Sequence, residues 1–262
     1  INHKIIHLII SKYLINGNIF YILPNNVETE EIILDIKFIL IKNHTEKLIR
    51  DHFKSKHVSV NSIYNSSYIK TLNYIKNFEN FNIKFFIDIG FQKTCNLIYE
   101  ENSLIFINHI PIGGQHITSD ISKIMKKDIN EAEKIKKSLK QTNIDLNNHK
   151  SNDLCIKVIH ARVEEIIDLS FKNFLDKELL RNKKSILIFT GEGSKILSKN
   201  SIYLKAEYNL FDDMSFYEEN PDTICDSCRN YVISEKLSEA TIIPKKIKKQ
   251  GFFEKLFYKF SN

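Results

Sequence analysis

The sequence contains few of the residues that interrupt regular structure: 7 glycines and 4 prolines among 262 residues. This scarcity indicates that the glycines lie where the backbone geometry requires them. The chain also lacks a run of eighteen apolar residues, so no transmembrane helix is expected. The first stretch, INHKIIHLIISKYL, carries His and Lys through its apolar part and therefore does not have the form of a signal peptide.

The 4 cysteines do not form a metal-binding pattern. Only Cys225 and Cys228 are closely spaced, and a zinc site would need two further ligands that the sequence does not offer at suitable spacing. His3 and His7 could be taken as a metal pair, but we expect them to be surface histidines on a strand. Free thiols in a reducing cytoplasm fit this cysteine usage.

The composition is that of an ordinary globular protein, with 42% hydrophobic and 27% charged residues. The length suits one large domain or two small ones with a sizeable core. A net charge of +6 indicates a mildly basic surface, and no nucleic-acid partner is expected. The charge has a local cluster near the end of the chain that could steer this end to an anionic surface. Its members are Lys245, Lys246, Lys248 and Lys249.

The first third of the chain predicts strands followed by helices. Residues 3–23 indicate two strands around Asn16-Gly17, a strong hairpin signal. Residues 35–43 form another β-rich run, and residues 44–58 have the apolar spacing of an amphipathic helix. A second helix is predicted over 66–77, opened by a serine cap.

The most informative stretch, 83–127, predicts a three-stranded antiparallel meander that feeds a helix through two glycines. The strands are IKFFIDIG, TCNLIYE and SLIFINHI, and the helix is HITSDISKIMKK with one apolar face. Further helices are predicted over 129–141 and 154–178, with a polar loop over 142–153 between them. Residues 184–197 indicate a buried strand, a tight Gly-x-Gly turn and the start of a helix.

Two groups of residues could carry chemistry. Asp88 at the end of a buried strand, followed by Gly90, suits phosphate binding through backbone N–H groups, with the carboxylate holding hydrated Mg²⁺. The alternative is a simple hairpin with an Asp-capped turn. The segment Thr190 to Ser194 ends a strand in Gly-x-Gly before a helix, a generic nucleotide-binding geometry.

Glu133 and Lys136 lie one helical turn apart on the same face. They could contact ribose hydroxyls, or they could be a solvated ion pair. None of these features by itself indicates a nucleotide site. Their order along the chain is the evidence for one.

In that order, the sequence resembles FtsA, the family of actin-like bacterial cell-division proteins. The resemblance lies in FIDIGFQKTCNLIYEENSLIFINHIPIGGQHITSDISKIMKKDINEAEKIKK, then ARVEEIIDL, then ILIFTGEGSKI. HKIIHLIISKYLINGN is similar to part of the extra subdomain of that family. The resemblance covers most of residues 1–200 and the last dozen residues.

The resemblance implies an α/β fold of the actin-like (ribonuclease-H-like) ATPase type, incomplete at the N-terminus and ending in an amphipathic helix. It implies ATP and Mg as cofactors, with a water of the Mg ion held by Asp88. Activity is expected to be at most a weak ATPase, because no first phosphate loop is present in this chain. The residues implied to line the nucleotide site are Asp88, Gly90, Thr94, Gly113, Gly114, Glu133, Lys136, Gly191, Gly193 and Ser194.

The sequence departs from the family pattern at three places. Phe91, Gln92 and Lys93 follow Gly90 where the family has glycines or small residues, and a bulky Phe91 restricts the approach of the backbone to phosphate. Glu192 stands where a glycine is usual in the adenosine loop. The interval between Lys136 and Arg162 is short, which implies that the small subdomain that contacts FtsZ in this family is trimmed.

The last residues, GFFEKLFYKFSN, have the pattern of a membrane-binding helix. On a helical wheel with ~100° per residue and Phe252 at the origin, Leu256 lies near ~40°, Phe260 near ~80°, Phe253 near ~100° and Phe257 near ~140°. These five side chains could contribute a gross gain of about 7–10 kcal/mol at a bilayer. Much of this is offset because a helix this short is not stable in water, so firm attachment needs many copies. A C-terminal helix docked on the protein's own core is the alternative.

Two functions follow as hypotheses. The first is a cell-division protein that forms filaments, binds FtsZ and anionic lipids, and attaches to the cytoplasmic side of the inner membrane at the division site. The second is an ATPase of pilus assembly or plasmid segregation whose C-terminal helix docks internally. The expected organisation is a small-subdomain remnant (1–57), a first-lobe remnant (58–79), a nucleotide-binding second lobe (80–204), a return segment (205–240), a Lys-rich linker (241–250) and a membrane-targeting helix (251–262).

Overall fold

A computed structural model describes residues 2–141, 150–172, 177–197 and 210–233. The strands are β1 (His3–Ile15), β2 (Asn18–Phe20), β3 (Ile32–Lys42), β4 (Ile83–Ile89), β5 (Thr94–Glu100), β6 (Ser103–Ile110), β7 (Ser185–Thr190) and β8 (Asp213–Phe216). The α-helices are α1 (Asn43–Lys54), α2 (Ser66–Tyr74), α3 (Gly114–Met125), α4 (Ile129–Gln141), α5 (Lys150–Lys172), α6 (Lys177–Leu180) and α7 (Thr223–Ile233).

The smaller sheet has the strand order β2-β1-β3 and is antiparallel. The predicted hairpin is confirmed, since Asn16 and Gly17 both have positive φ angles, 51° and 79°. Two central residues with positive φ make a turn whose twist matches that of the flanking strands.

The larger sheet has the order β6-β5-β4-β7-β8. The meander predicted over residues 83–110 is confirmed, because β4, β5 and β6 pair antiparallel in sequence order. Strand β7 pairs parallel with β4 on its other side, and Asp88 lies opposite Thr190. Every residue of β4, β5 and β7 is buried. Burial of every residue, including polar ones such as Lys84 and Asn96, indicates a sheet that is covered on both faces.

One face of this sheet packs against α3, α4 and α5. Helix α5 contributes Ile159, Val163 and Ile166, whose spacing of three to four residues keeps them on one side of the helix. The other face packs against α2, α7 and the smaller sheet, with Tyr68 and Tyr231 in the shared cluster. The two faces therefore have separate apolar cores.

Several boundaries differ from the sequence-based expectation. The cap of α2 is Asn65, whose side chain accepts a hydrogen bond from Tyr68 N–H, and not a serine. The described part of helix α5, Lys150–Lys172, includes residues 150–153 of the segment predicted to be a loop. Within 205–240, for which no helix or strand is predicted from the sequence, the described residues contain β8 and α7.

The prediction that His7 is a surface histidine is wrong, because its side chain is buried. Its Nε2 accepts a hydrogen bond from Asn65 N–H at 2.9 Å, and its ring packs edge-on against Tyr68. The bulge of β1 after Ile5 shifts the strand register, so simple alternation does not give the face on which His7 lies.

In the described ranges, no helix combines the length and apolar character needed to cross a bilayer.

We expect Ile121→Ala to lower the free energy of unfolding by about 2–4 kcal/mol, because the side chain is fully buried in the core beneath α3. Ile124→Ala on the same helix is the matched control. Ile124 is 48% exposed, and its loss should cost about 0.5 kcal/mol or less. Urea unfolding followed by circular dichroism measures both, and equal effects would contradict the placement of α3.

Candidate functional site

Three glycine-containing turns meet at the carboxyl ends of β4 and β7. They are the turn after β4 at Gly90, the start of α3 at Gly113 and Gly114, and the turn after β7 at Gly191 and Gly193. A Cβ atom at Gly113 would lie 2.6 Å from the carbonyl oxygen of Gly90, and one at Gly193 would lie 2.8 Å from that of Ile89. The turns approach so closely that only glycine fits at these two positions.

The turn after β4 caps helix α3. Gly114 N–H donates to the carbonyl oxygen of Gly90 at 2.9 Å, and Gln115 N–H donates to that of Phe91 at 2.7 Å. The hydroxyl of Thr94 donates to the carbonyl oxygen of Ile112 at 2.8 Å, just before the helix. The first N–H groups of a helix have no partner within the helix and can bind an anion. Here two of them hold the adjacent turn in place.

The turn after β7 also requires glycine. Gly191 has φ = +89°, and a Cβ atom there would lie 2.5 Å from Asp88 Oδ1. The backbone N–H and the hydroxyl of Ser194 both donate to the Gly191 carbonyl oxygen, at 3.1 and 2.7 Å. These bonds form the short 3₁₀ helix Glu192–Ile196 that the sequence predicted as the start of a helix.

A cavity of about 380 Å³ opens between these turns and helix α4. Its volume is within the range of small-molecule sites. The wall combines glycine backbone, apolar side chains and charged groups. The lining residues are Gly90, Phe91, Gly114, Ile117, Glu133, Lys136, Lys137, Glu192, Gly193, Lys195 and Ile196.

Glu133 and Lys136 of α4 form a hydrogen-bonded pair at the cavity wall, with Nζ and Oε2 2.6 Å apart. Lys136 Nζ also donates to Thr118 Oγ1 at 2.8 Å and to the Gly114 carbonyl oxygen at 3.2 Å. Burial raises the pKa of Glu133, but hydrogen bonds from Lys136 and Thr118 outweigh it and the net pKa is lowered. Glu133 is therefore an ionised acceptor for hydroxyl groups, and Lys136 provides a positive charge beside the start of α3.

Asp88 lies behind the turns and does not line the cavity. Its Oδ1 accepts hydrogen bonds from Lys70 Nζ at 3.0 Å and from the hydroxyl of Thr190 at 3.3 Å. Lys70 Nζ also donates to Glu219 Oε1 at 2.8 Å. Burial favours the neutral form of Lys70, but the two carboxylates outweigh it, and its net pKa is raised.

Sequence reasoning missed Lys70 and Glu219. The sequence does carry a signal that Lys70 is buried. Lys70 follows Ser67 by three residues and precedes Tyr74 by four, which places it on the buried face of α2. Nothing in the sequence links Glu219 to this region, because 149 residues separate it from Lys70.

The predicted site residues therefore fall into three groups. Gly90, Gly114, Glu133, Lys136 and Gly193 line the cavity. The turns are held in shape by Thr94, Gly113, Gly191 and Ser194. Asp88 pairs with Lys70, and the residues of the four described ranges contain no group of three or more His, Cys, Asp or Glu side chains that could hold a metal ion.

The predicted membrane-binding residues lie outside the described ranges. They are Lys245, Lys246, Lys248, Lys249, Phe252, Phe253, Leu256, Phe257 and Phe260.

Residues 85–193 match the family model for the cell division protein FtsA. The resemblance to FtsA is therefore confirmed over this segment, which runs from β4 to Gly193 and contains all three glycine turns and α4. No individual curated protein matches the chain.

Solved structures with the same fold include the PilM-PilN type IV pilus biogenesis complex, with a TM-score of 0.56 and 12% identity over 81% of this chain and 58% of that one. MreB5 of Spiroplasma citri bound to ADP gives a TM-score of 0.55 and 13% identity over 75% of this chain and 67% of that one. The same protein bound to AMPPNP gives a TM-score of 0.55 and 14% identity over 75% of this chain and 66% of that one. The predicted actin-like fold is confirmed, and the chain spans 58% to 67% of the length of these proteins. The segment that matches the FtsA model thus lies within an actin-like fold.

We expect Gly113→Ala to destabilise the protein by about 1–3 kcal/mol, because the added methyl group would overlap three backbone atoms of residues 90–93. Gly114→Ala is the matched control at the next position. Its methyl group would meet its neighbours at 3.5 Å or more, so a change of about 0.5 kcal/mol or less is expected. Chemical denaturation compares them, and an equally stable Gly113→Ala variant would contradict the close contact of the turns.

Proposed function

We propose that this chain is an actin-like cell-division protein that binds ATP in the cavity between its glycine turns and attaches FtsZ filaments to the membrane through its C-terminal residues. The observation that carries the nucleotide part is the meeting of three glycine turns with the Glu133–Lys136 pair around one cavity. All of these groups lie inside the FtsA-family segment, 85–193, or at its edge.

The cavity wall suits an adenine nucleoside with phosphates attached. Ionised Glu133 can accept hydrogen bonds from ribose hydroxyls, and Lys136 can pair with a phosphate oxygen. Phe91 and Ile196 offer apolar surface to a base, and the lack of a side chain at Gly193 allows the ligand to approach the backbone. MreB5, which shares the fold, was solved with ADP and with AMPPNP, which supports a nucleotide in this region.

The groups present support binding more than turnover. Asp88 is engaged by Lys70, and Phe91, Gln92 and Lys93 take the positions where small residues would let the backbone approach a phosphate. Two N–H groups at the start of α3 are bonded to the turn after β4. We therefore propose at most weak ATP hydrolysis, with the nucleotide stabilising the arrangement of the turns.

The proposed membrane attachment depends on residues 245–262. Five large apolar side chains on one side of a helix and four lysines before it would favour an anionic bilayer. One copy would bind weakly, so we propose that self-association into filaments provides stable attachment. The proposed location is the cytoplasmic side of the inner membrane at the division site.

We expect Lys136→Met to weaken ATP binding about tenfold, because a charge-assisted hydrogen bond to phosphate contributes about 1.5–3 kcal/mol. Lys134→Met is the matched control, since Lys134 is an exposed lysine of the same helix that does not line the cavity. Titration with a fluorescent ATP analogue measures both. Equal affinities would contradict ATP binding in this cavity, and rapid ATP turnover by the wild type would favour an ATPase instead.

Deletion of residues 250–262 should abolish co-sedimentation with vesicles that contain anionic lipid. A finer test compares Phe253→Glu, in the middle of the predicted apolar arc, with Tyr258→Glu on the opposite side. Only the first should lose binding, because it places a charge in the inserted face. Unchanged membrane binding by the deletion variant would contradict the tether.

A further inference from the structure

Lys70, Asp88 and Glu219 form a buried triad beneath the nucleotide-binding turns. Lys70 Nζ lies 3.0 Å from Asp88 Oδ1 and 2.8 Å from Glu219 Oε1, and the three side chains are only 5%, 7% and 7% exposed. The groups come from three elements: α2, the end of β4, and the segment after β8. Tertiary folding alone brings them together.

The geometry of both carboxylates is fixed by further hydrogen bonds. The hydroxyl of Thr190 donates to Asp88 at 3.3 Å, and the hydroxyl of Tyr74 donates to Glu219 at 3.0 Å. The triad also touches the turn after β7, because a Cβ atom at Gly191 would lie 2.5 Å from Asp88 Oδ1. The Asp88 carboxylate is therefore held between the ammonium group and the glycine turn.

A divalent cation does not fit this arrangement. Mg²⁺ needs six oxygen ligands at about 2.1 Å and keeps several of its waters. At Asp88, the place of such an ion and its water shell is taken by the Lys70 ammonium, which would also repel it at short range. The ammonium already provides the positive charge that Asp88 and Glu219 require when they are buried.

We propose that Lys70 replaces the divalent cation at Asp88, so that nucleotide binding by this protein does not depend on a divalent metal ion. The proposal rests on the proposed binding of ATP in the cavity. It assigns to Lys70 a positioning role: it is a permanent counter-ion that holds Asp88 and, through it, the turn at Gly191.

One consequence can be tested without nucleotide. Lys70→Met leaves two buried carboxylates that face each other with no cation between them. Carboxylate oxygens are ligands that suit Mn²⁺, and water can complete its coordination. The variant should therefore gain Mn²⁺ binding, seen as loss of the free-ion signal in electron paramagnetic resonance, and its melting temperature should rise when Mn²⁺ is added.

Lys84→Met is the matched control. Lys84 is also a buried lysine, but its Nζ donates to the Phe81 carbonyl oxygen at 2.6 Å and to Asn102 Oδ1 at 2.8 Å, neither of which is a carboxylate. This variant should lose stability and gain no Mn²⁺ site. Specific Mn²⁺ binding by the wild type without nucleotide would overturn the proposal, as would a Lys70→Met variant that folds and gains none.

The second measurement uses the wild-type protein and therefore does not depend on any variant folding. Its affinity for a fluorescent ATP analogue should be the same within about twofold in Mg²⁺ and in EDTA, whereas a metal ion held by the protein and coupled to the nucleotide would make the affinity about fivefold lower or more in EDTA. Such a loss in EDTA would overturn the role of Lys70 and leave ATP binding intact. Failure to bind in either buffer would overturn the proposed ATP site, and the Mn²⁺ measurements would still decide whether Lys70 excludes a metal ion.

Discussion

The parallel pairing of β4 with β7 is the interaction on which the site depends. These strands are about one hundred residues apart in sequence, yet Asp88 lies opposite Thr190, so both strands end at the same edge of the sheet. Ligand sites of α/β proteins lie at such edges because the turns that follow parallel strands meet there. Without this register, Gly90 and Gly193 would not enclose one cavity.

Close contact between the turns determines what the site can do. Carbonyl oxygens of Gly90 and Phe91 accept hydrogen bonds from the start of α3, so the turn after β4 supports the helix directly. This arrangement fixes the cavity wall but uses donors that could otherwise bind phosphate. The same chain region thus combines a well-formed nucleoside-sized cavity with limited provision for phosphate chemistry. The proposed binding of ATP without rapid hydrolysis rests on that balance.

The buried triad joins α2 and the segment after β8 to the strand that supports the cavity. Lys70 lies on α2, whose Tyr68 and Ile69 belong to the core shared with α7 and the smaller sheet, and Asp88 lies near the end of β4, the strand that supports the cavity. A charge buried without a partner would be strongly destabilising, so these groups stabilise the structure only as a set. Changes at α2 or after β8 are therefore expected to affect the glycine turns, even though neither segment lines the cavity.

The sequence by itself determined the local elements and their chemistry. Short runs rich in apolar and β-branched residues predicted β4, β5 and β7, and scarce glycines marked the three turns, because each of these signals depends on neighbouring residues only. The positions of His7, Lys70 and Glu219 were decided by the tertiary structure. A bulge altered the face of β1 on which His7 lies, and the partner of Lys70 is 149 residues away. Periodicity reports which face of an element is apolar, but not which distant charge will be buried against it, and for that reason the pairing of Asp88 with a lysine could be found only in the folded chain.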